Sequence, residues 1–315
     1  MQLRFLARRL GMLAATLLVS SFVIFSALYL APGNPIAVLS GGRSLPPESV
    51  KVLEDRYHLN DPFLTQYWIW LTNALHGDLG ISILLRTNVS DLIAQRAGTT
   101  LALVLYTSIL IVLVGVGLGL VGGLRRGSVD TATVVTSAIS AALPSFVAAT
   151  VLTLLFSVGL GWFPSLGTGS GFLDTIYHLT LPAVALAISQ FAIVARVTRA
   201  SVREEFGKEH VQTAISRGIP YPQLVRRHVL RNAAIPISTV TGLTVAYLIA
   251  AAAVVERAFG LNGLGAYLVL AAANKDFAVV QGISLILVTA FVVVNLVDDL
   301  LRTVLDPRIS LGSRQ

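Results

Sequence analysis

The chain has 315 residues, of which 55% are hydrophobic and 12% charged, with a mean hydropathy of +0.77 and a net charge of +7. A soluble domain carries roughly 25% charged residues, so this composition cannot cover a water-facing surface and fits a bilayer instead. The basic excess sits at the ends of apolar runs and not on a polar fold, which argues against nucleic acid; the lack of cysteine excludes disulfides, thiolate metal sites and cysteine nucleophiles.

The first apolar run, 10–31, follows Arg4, Arg8 and Arg9 and is long enough, at ~1.5 Å per residue, to cross a hydrocarbon core. A secretory signal would have an apolar region of ~7–15 residues and a small-x-small cleavage site, which Tyr29-Leu30-Ala31 does not supply, so a retained helix is expected. Residues 32–97 are more polar and read as an extracytoplasmic insertion. Within it lie Pro46-Pro47, an amphipathic stretch carrying Val50, Leu53 and Tyr57, and a helix over Phe63 to Leu75, with Asp61 at its N-cap and Pro62 at its first position. Tyr67, Trp68 and Trp70 make that helix suited to a membrane interface, and it is expected outside the membrane.

Five further spans are expected at 99–123, 131–159, 181–197, 236–256 and 279–301, with prolines interrupting at Pro144 and Pro182. Gly115, Gly119 and Gly123 recur every fourth residue, a pattern that lets a neighbouring helix approach closely. Six spans with both ends cytoplasmic place 16 of the 23 lysines and arginines inside, as membrane insertion favours. The resulting division is an N-terminal span (1–31), the insertion (32–97), a five-span core (98–303) with a cytoplasmic loop at 198–235, and a cytoplasmic tail (304–315).

The stretch from Arg196 to Pro236 carries eight basic and three acidic residues (Glu204, Glu205, Glu209), too many charges to cross hydrocarbon at ~2.5–3.5 kcal/mol each. Val211, Ile215, Leu224 and Val225 recur at spacings compatible with short amphipathic helices, broken at Gly218-Ile219-Pro220-Tyr221-Pro222. Two readings fit it: an ordinary basic inside loop, or a rigid lever that seats in a soluble partner, with Thr213, Ala214 and Gly218 permitting close approach and Arg217 giving a directional contact. Polar or kinked positions that could line a path are Ser140, Pro144 and Ser145 in the third span, Thr241, Thr244 and Tyr247 in the fifth, and Glu256; hydroxyls in such helices commonly bond their own backbone instead. Asp298 and Asp299 fall near the inner end of the last span, where interfacial solvation or pairing with Arg302 suits them better than proton relay.

No catalytic, cofactor-binding or metal-ligating residue is assigned. The Gly207-Lys208 pair has Val202 where a phosphate loop needs glycine and Glu209 where it needs a hydroxyl, so this chain is not expected to hydrolyse ATP. Gly169-Ser170-Gly171 lacks the flanks of a nucleophile elbow, and His58, His76, His178, His210 and His228 form no ligand-spaced cluster. A secondary transporter would place ionisable groups at mid-membrane, and the span middles carry none.

The sequence Glu209-His210-Val211-Gln212-Thr213-Ala214-Ile215-Ser216-Arg217-Gly218, followed by His228-Val229-Leu230-Arg231-Asn232-Ala233, resembles the cytoplasmic coupling motif of ABC-importer permeases of the dipeptide, oligopeptide and nickel branch. Arg8-Arg9-Leu10, Ala31-Pro32-Gly33-Asn34-Pro35, Gly77-Asp78-Leu79-Gly80-Ile81-Ser82, Leu143-Pro144-Ser145-Phe146, Val255-Glu256-Arg257-Ala258-Phe259-Gly260 and Leu305-Asp306-Pro307-Arg308 agree with the same branch in order and spacing. Ala214-Ile215-Ser216-Arg217-Gly218 stands where Ala-Arg-Ala-Lys-Gly is usual, and His210 replaces an aromatic. The resemblance implies an all-α, six-span permease of the type I importer fold and the first permease of a pair. Its implied partners are a second similar permease, two ATP-binding subunits that hold ATP and Mg, an extracytoplasmic solute-binding protein and the lipid bilayer. It implies ATPase coupling through Glu209, Thr213, Ala214, Arg217, Gly218, Ile219 and Pro220, and a peptide cargo, with nickel or another small solute as the alternative.

Overall fold

A computed structural model describes residues 2–30, 46–48, 50–51 and 60–305, and among these the regular structure is helical apart from one antiparallel bridge between Ile81 and Asn88. The helices are α1 (Gln2–Tyr29), α2 (Phe63–Leu75), α3 (Val89–Leu124), α4 (Ser128–Ala142), α5 (Ser145–Gly159), α6 (Phe172–Gly207), α7 (Glu209–Ser216), α8 (Tyr221–Ala258), α9 (Leu264–Ala273) and α10 (Phe277–Leu305). Of these, α1, α3, α6, α8 and α10 are each long and apolar enough to cross a membrane, and α4 with α5 qualifies as a sixth crossing only as a pair. Expected features at Leu53, Tyr57, His58 and 306–315 fall outside the described residues, as does the side chain of Arg302.

At 131–159 the expected interruption at Pro144 is sharp, and the segment is two helices meeting at 97°. Pro144 disfavours helical backbone at Leu143, which is extended (φ −92°, ψ 111°), and α5 restarts at Ser145. Pro182, by contrast, interrupts nothing, because α6 runs through it. The fourth span is therefore not a short 181–197 segment but a 36-residue helix, about 54 Å at 1.5 Å per residue. Asp174, His178, Arg196, Arg199 and Arg203 dilute its hydropathy at both ends, while its middle is the most buried of all the spans. A helix enclosed by other helices need not be apolar all round where it leaves the bilayer.

α6 is the hub of the packing, touching α3, α4, α5 and α8. Glycines set its approach to α3. A Cβ on Gly119 would lie 2.5 Å from Thr198 Cβ and 2.6 Å from the Ala195 carbonyl, and one on Gly123 would lie 2.9 Å from Val202. Gly115, in a widened turn of α3 (Ile111–Val116), faces the Phe191 carbonyl and Val194 at 3.0 Å. The every-fourth-residue glycine face is thus a helix-packing seam. Beyond α6, α8 packs on α10 and α10 on α1, where Arg9 pairs with Asp299.

Candidate coupling region and path

At the C-terminal end of α6 the chain turns at Lys208 into α7, which is seated by one face only. Val211 and Ala214 are buried with Val202, Leu224, Val229 and Ala233, while Glu209, Thr213, Ser216 and Arg217 are exposed. α7 ends in a Schellman motif: Ile219 N–H donates to the Ala214 carbonyl (3.2 Å) and Gly218 N–H to the Ile215 carbonyl (2.9 Å). That motif needs a left-handed residue, and Gly218 supplies it at φ +71°. Pro220 then prevents the helix from resuming, and Ile219 folds back onto the buried cluster. Of the seven positions expected at the tip, Glu209, Thr213, Arg217, Gly218 and Pro220 are exposed, whereas Ala214 and the half-buried Ile219 hold the tip down and are corrected to a supporting place.

Charges brace this joint. Lys208 Nζ bonds Glu205, whose other oxygen lies 3.7 Å from His210 Nε2, and Asn232 Nδ2 of α8 stands 3.2 Å from the same His210 nitrogen. The hydrogen bond to Glu205 holds Lys208 above the ordinary lysine range, with the charges of Glu205 and Glu204 adding to it against desolvation. One turn deeper, Asp130 of α4 accepts a forked pair from Arg199 and lies 2.7 Å from Arg203 Nη2, which also donates to the Arg125 carbonyl at 3.3 Å. α4, α6, α7 and the base of α8 are thereby tied at one end of the molecule. Asp130 drew no notice in the sequence and Glu205 only a place in the charge count; the signal of each was a carboxylate beside an apolar run in a basic neighbourhood.

The expected path residues are scattered. Thr241 and Thr244 turn their hydroxyls to the carbonyls of Ile237 and Val240, both at 2.7 Å. Ser140 and Ser145 are half-buried beside the exposed Pro144 bend, and Tyr247 is exposed on α8, which packs against α5. Glu256 does not face a path and is corrected: it is 0% exposed, accepting a hydrogen bond from Thr100 Oγ1 (2.6 Å) and another from Ala266 N–H (2.9 Å). Thr100 in turn accepts Leu264 N–H at 2.8 Å, so α3 and α8 together cap the start of α9. A Cβ on Gly263 would collide with the Glu256 carboxylate, and one on Gly265 with Ala253, so both glycines are required by close approach. A parallel staple joins the α9–α10 turn to the entry of α3: buried Asp276 accepts Ser82 Oγ at 2.5 Å and Leu84 N–H at 3.2 Å.

The described helices thus form a core of five long apolar spans and one bent pair, with the α6–α7 joint tied by charges at one end and the start of α9 stapled at the other. Residues 115–311 match the family described as binding-protein-dependent transport system inner membrane component, and residues 2–104 match its N-terminal companion, so the chain belongs to that family of multi-pass inner-membrane permeases. The chain is similar to the oligopeptide transport system permease protein AppB of Bacillus subtilis, with 36% identity and 92% of each chain covered. It is also similar to the dipeptide transport system permease protein DppB of Escherichia coli, with 32% identity and 98% of each covered. Its fold is shared with a chain of the MetNI methionine ABC transporter in inward-facing conformations (TM-score 0.58, 16% identity, 68% of this chain and 96% of that one).

Proposed function

We propose that this permease carries peptides across the inner membrane as one half of a translocation path, driven by ATP bound and hydrolysed on separate subunits. A second similar permease would complete the path, two ATP-binding subunits holding ATP and Mg would attach at α7, and an extracytoplasmic binding protein would deliver cargo. Relatives matched over nearly their full length are oligopeptide and dipeptide transport permeases, which supports peptide as the cargo. The excess of basic residues around α7 and beyond α10 supports cytoplasmic placement of both termini.

The observation that carries this reading is the construction of α7. A helix held by Val211 and Ala214, stopped by Gly218 and braced through Glu205 and Asp130 is built to receive a push without yielding. Its exposed Thr213, Arg217 and Gly218 form the contact, and α6 takes up the displacement. No atom lies within 4 Å of a Cβ added to Gly218, so the space there is open to a partner.

The backbone at Gly218 shapes the test. Left-handed backbone costs an ordinary L residue ~1–2 kcal/mol, and Asn tolerates it better. Gly218→Asn is expected to keep import and retain the ATPases on purification, while Gly218→Trp keeps the fold but loses both. Equal import by the two variants would remove the docking role.

A further inference from the structure

We propose that α2 is not an extramembrane insertion but an anchor embedded in the leaflet opposite the Arg9 end of α1, with Leu64, Trp68 and Leu75 against lipid acyl chains. The placement follows from what α2 touches. Phe63 stacks edge-on against Phe22 and Tyr29 with centroids 5.8 and 4.9 Å apart, and Trp70 lies 5.6 Å from Phe25. Tyr67 packs on Phe22 and Phe25, and its hydroxyl is 2.9 Å from Ser21 Oγ. These partners all lie between Ser21 and Tyr29 of a span that begins at Arg9. Arg9 pairs with Asp299 and so marks the charged inner edge. At 1.5 Å per residue, Ser21 stands about 18 Å above Arg9 and Tyr29 about 30 Å, which places the contacted stretch in the far half of a ~30 Å hydrocarbon core.

The helix itself fits that depth. Its sequence, FLTQYWIWLTNAL, holds no charge. Phe63, Tyr67 and Trp70 form the face on α1. Next to it, at ~100° per residue, Leu64, Trp68 and Leu75 form a stripe that is 67%, 64% and 77% exposed, and Gln66 and Asn73 project on the side away from that stripe. On α1 itself, Leu18, Val19 and Val23 are likewise exposed and apolar. An uncharged helix with one face on a span, an exposed apolar stripe next to that face and a polar edge opposite the stripe has the pattern of an interfacial anchor.

The chain has three tryptophans and no cysteine, so both arms of a test are direct. With Trp70→Phe and Trp162→Phe, Trp68 is the sole emitter in full-length protein reconstituted into vesicles. Lipids brominated near the glycerol should at least halve its emission, and aqueous acrylamide should change it little. Quenching by acrylamide but not by brominated lipid would put α2 in water, and quenching by neither would mean that a protein segment covers the stripe; either result overturns the proposal. As a check independent of the tryptophan changes, Leu64→Cys should resist a membrane-impermeant maleimide that labels Ser170→Cys in the exposed loop before α6. Equal labelling of the two would overturn it as well.

Discussion

Thr100 makes two of the bonds that hold the start of α9, donating to a fully buried Glu256 and accepting from its first turn. Thr100→Val keeps the shape but leaves Leu264 N–H and a carboxylate oxygen without a partner, a loss of ~1–3 kcal/mol. The melting temperature of the purified chain should fall, and Thr100→Ser should recover most of it; equal melting of the Val and Ser variants would show that the hydroxyl is not needed. At the other end, Lys208 is held charged by Glu205. A lysine raised above its unfolded value stabilises below the ordinary lysine range, and that contribution disappears only as pH climbs through the folded value. The α6–α7 joint should accordingly show no change in protease sensitivity from acid-neutral to mildly alkaline pH, whereas Lys208→Met should loosen it throughout.

Among elements, the α3–α6 seam gives an internal control. A Cβ at Gly117 meets nothing within 4 Å, whereas one at Gly119 meets Thr198 and a backbone carbonyl. Gly117→Ala should leave thermal stability unchanged, and Gly119→Ala should cost ~1–3 kcal/mol through forced separation of the helices. That seam was legible in the sequence because small residues at every fourth position have one economical use. The end of α7 was legible as well, since the Gly218–Pro222 cluster fixed its break. The length of α6 was not, because hydropathy registers lipid exposure and α6 is enclosed by its own chain. Nor was the inward turn of Glu256, since a carboxylate beside a glycine-rich loop looks the same whether it caps a neighbouring helix or faces a cavity.

For the molecule as a whole, orientation is open to a direct measurement in this cysteine-free background. In intact cells an impermeant thiol reagent should modify Ser170→Cys and spare Thr213→Cys until the membrane is opened; labelling of Thr213→Cys from outside would invert the topology. The length of α6 then has a mechanical consequence. About 54 Å of unbroken helix is too stiff to absorb a shove by bending, and its tightest grip on neighbours lies near mid-length. Under the proposed coupling, such a beam would turn as a seesaw about that fulcrum, its foot and head swinging in opposite directions, so that one stroke could shut one mouth of a passage while parting the other.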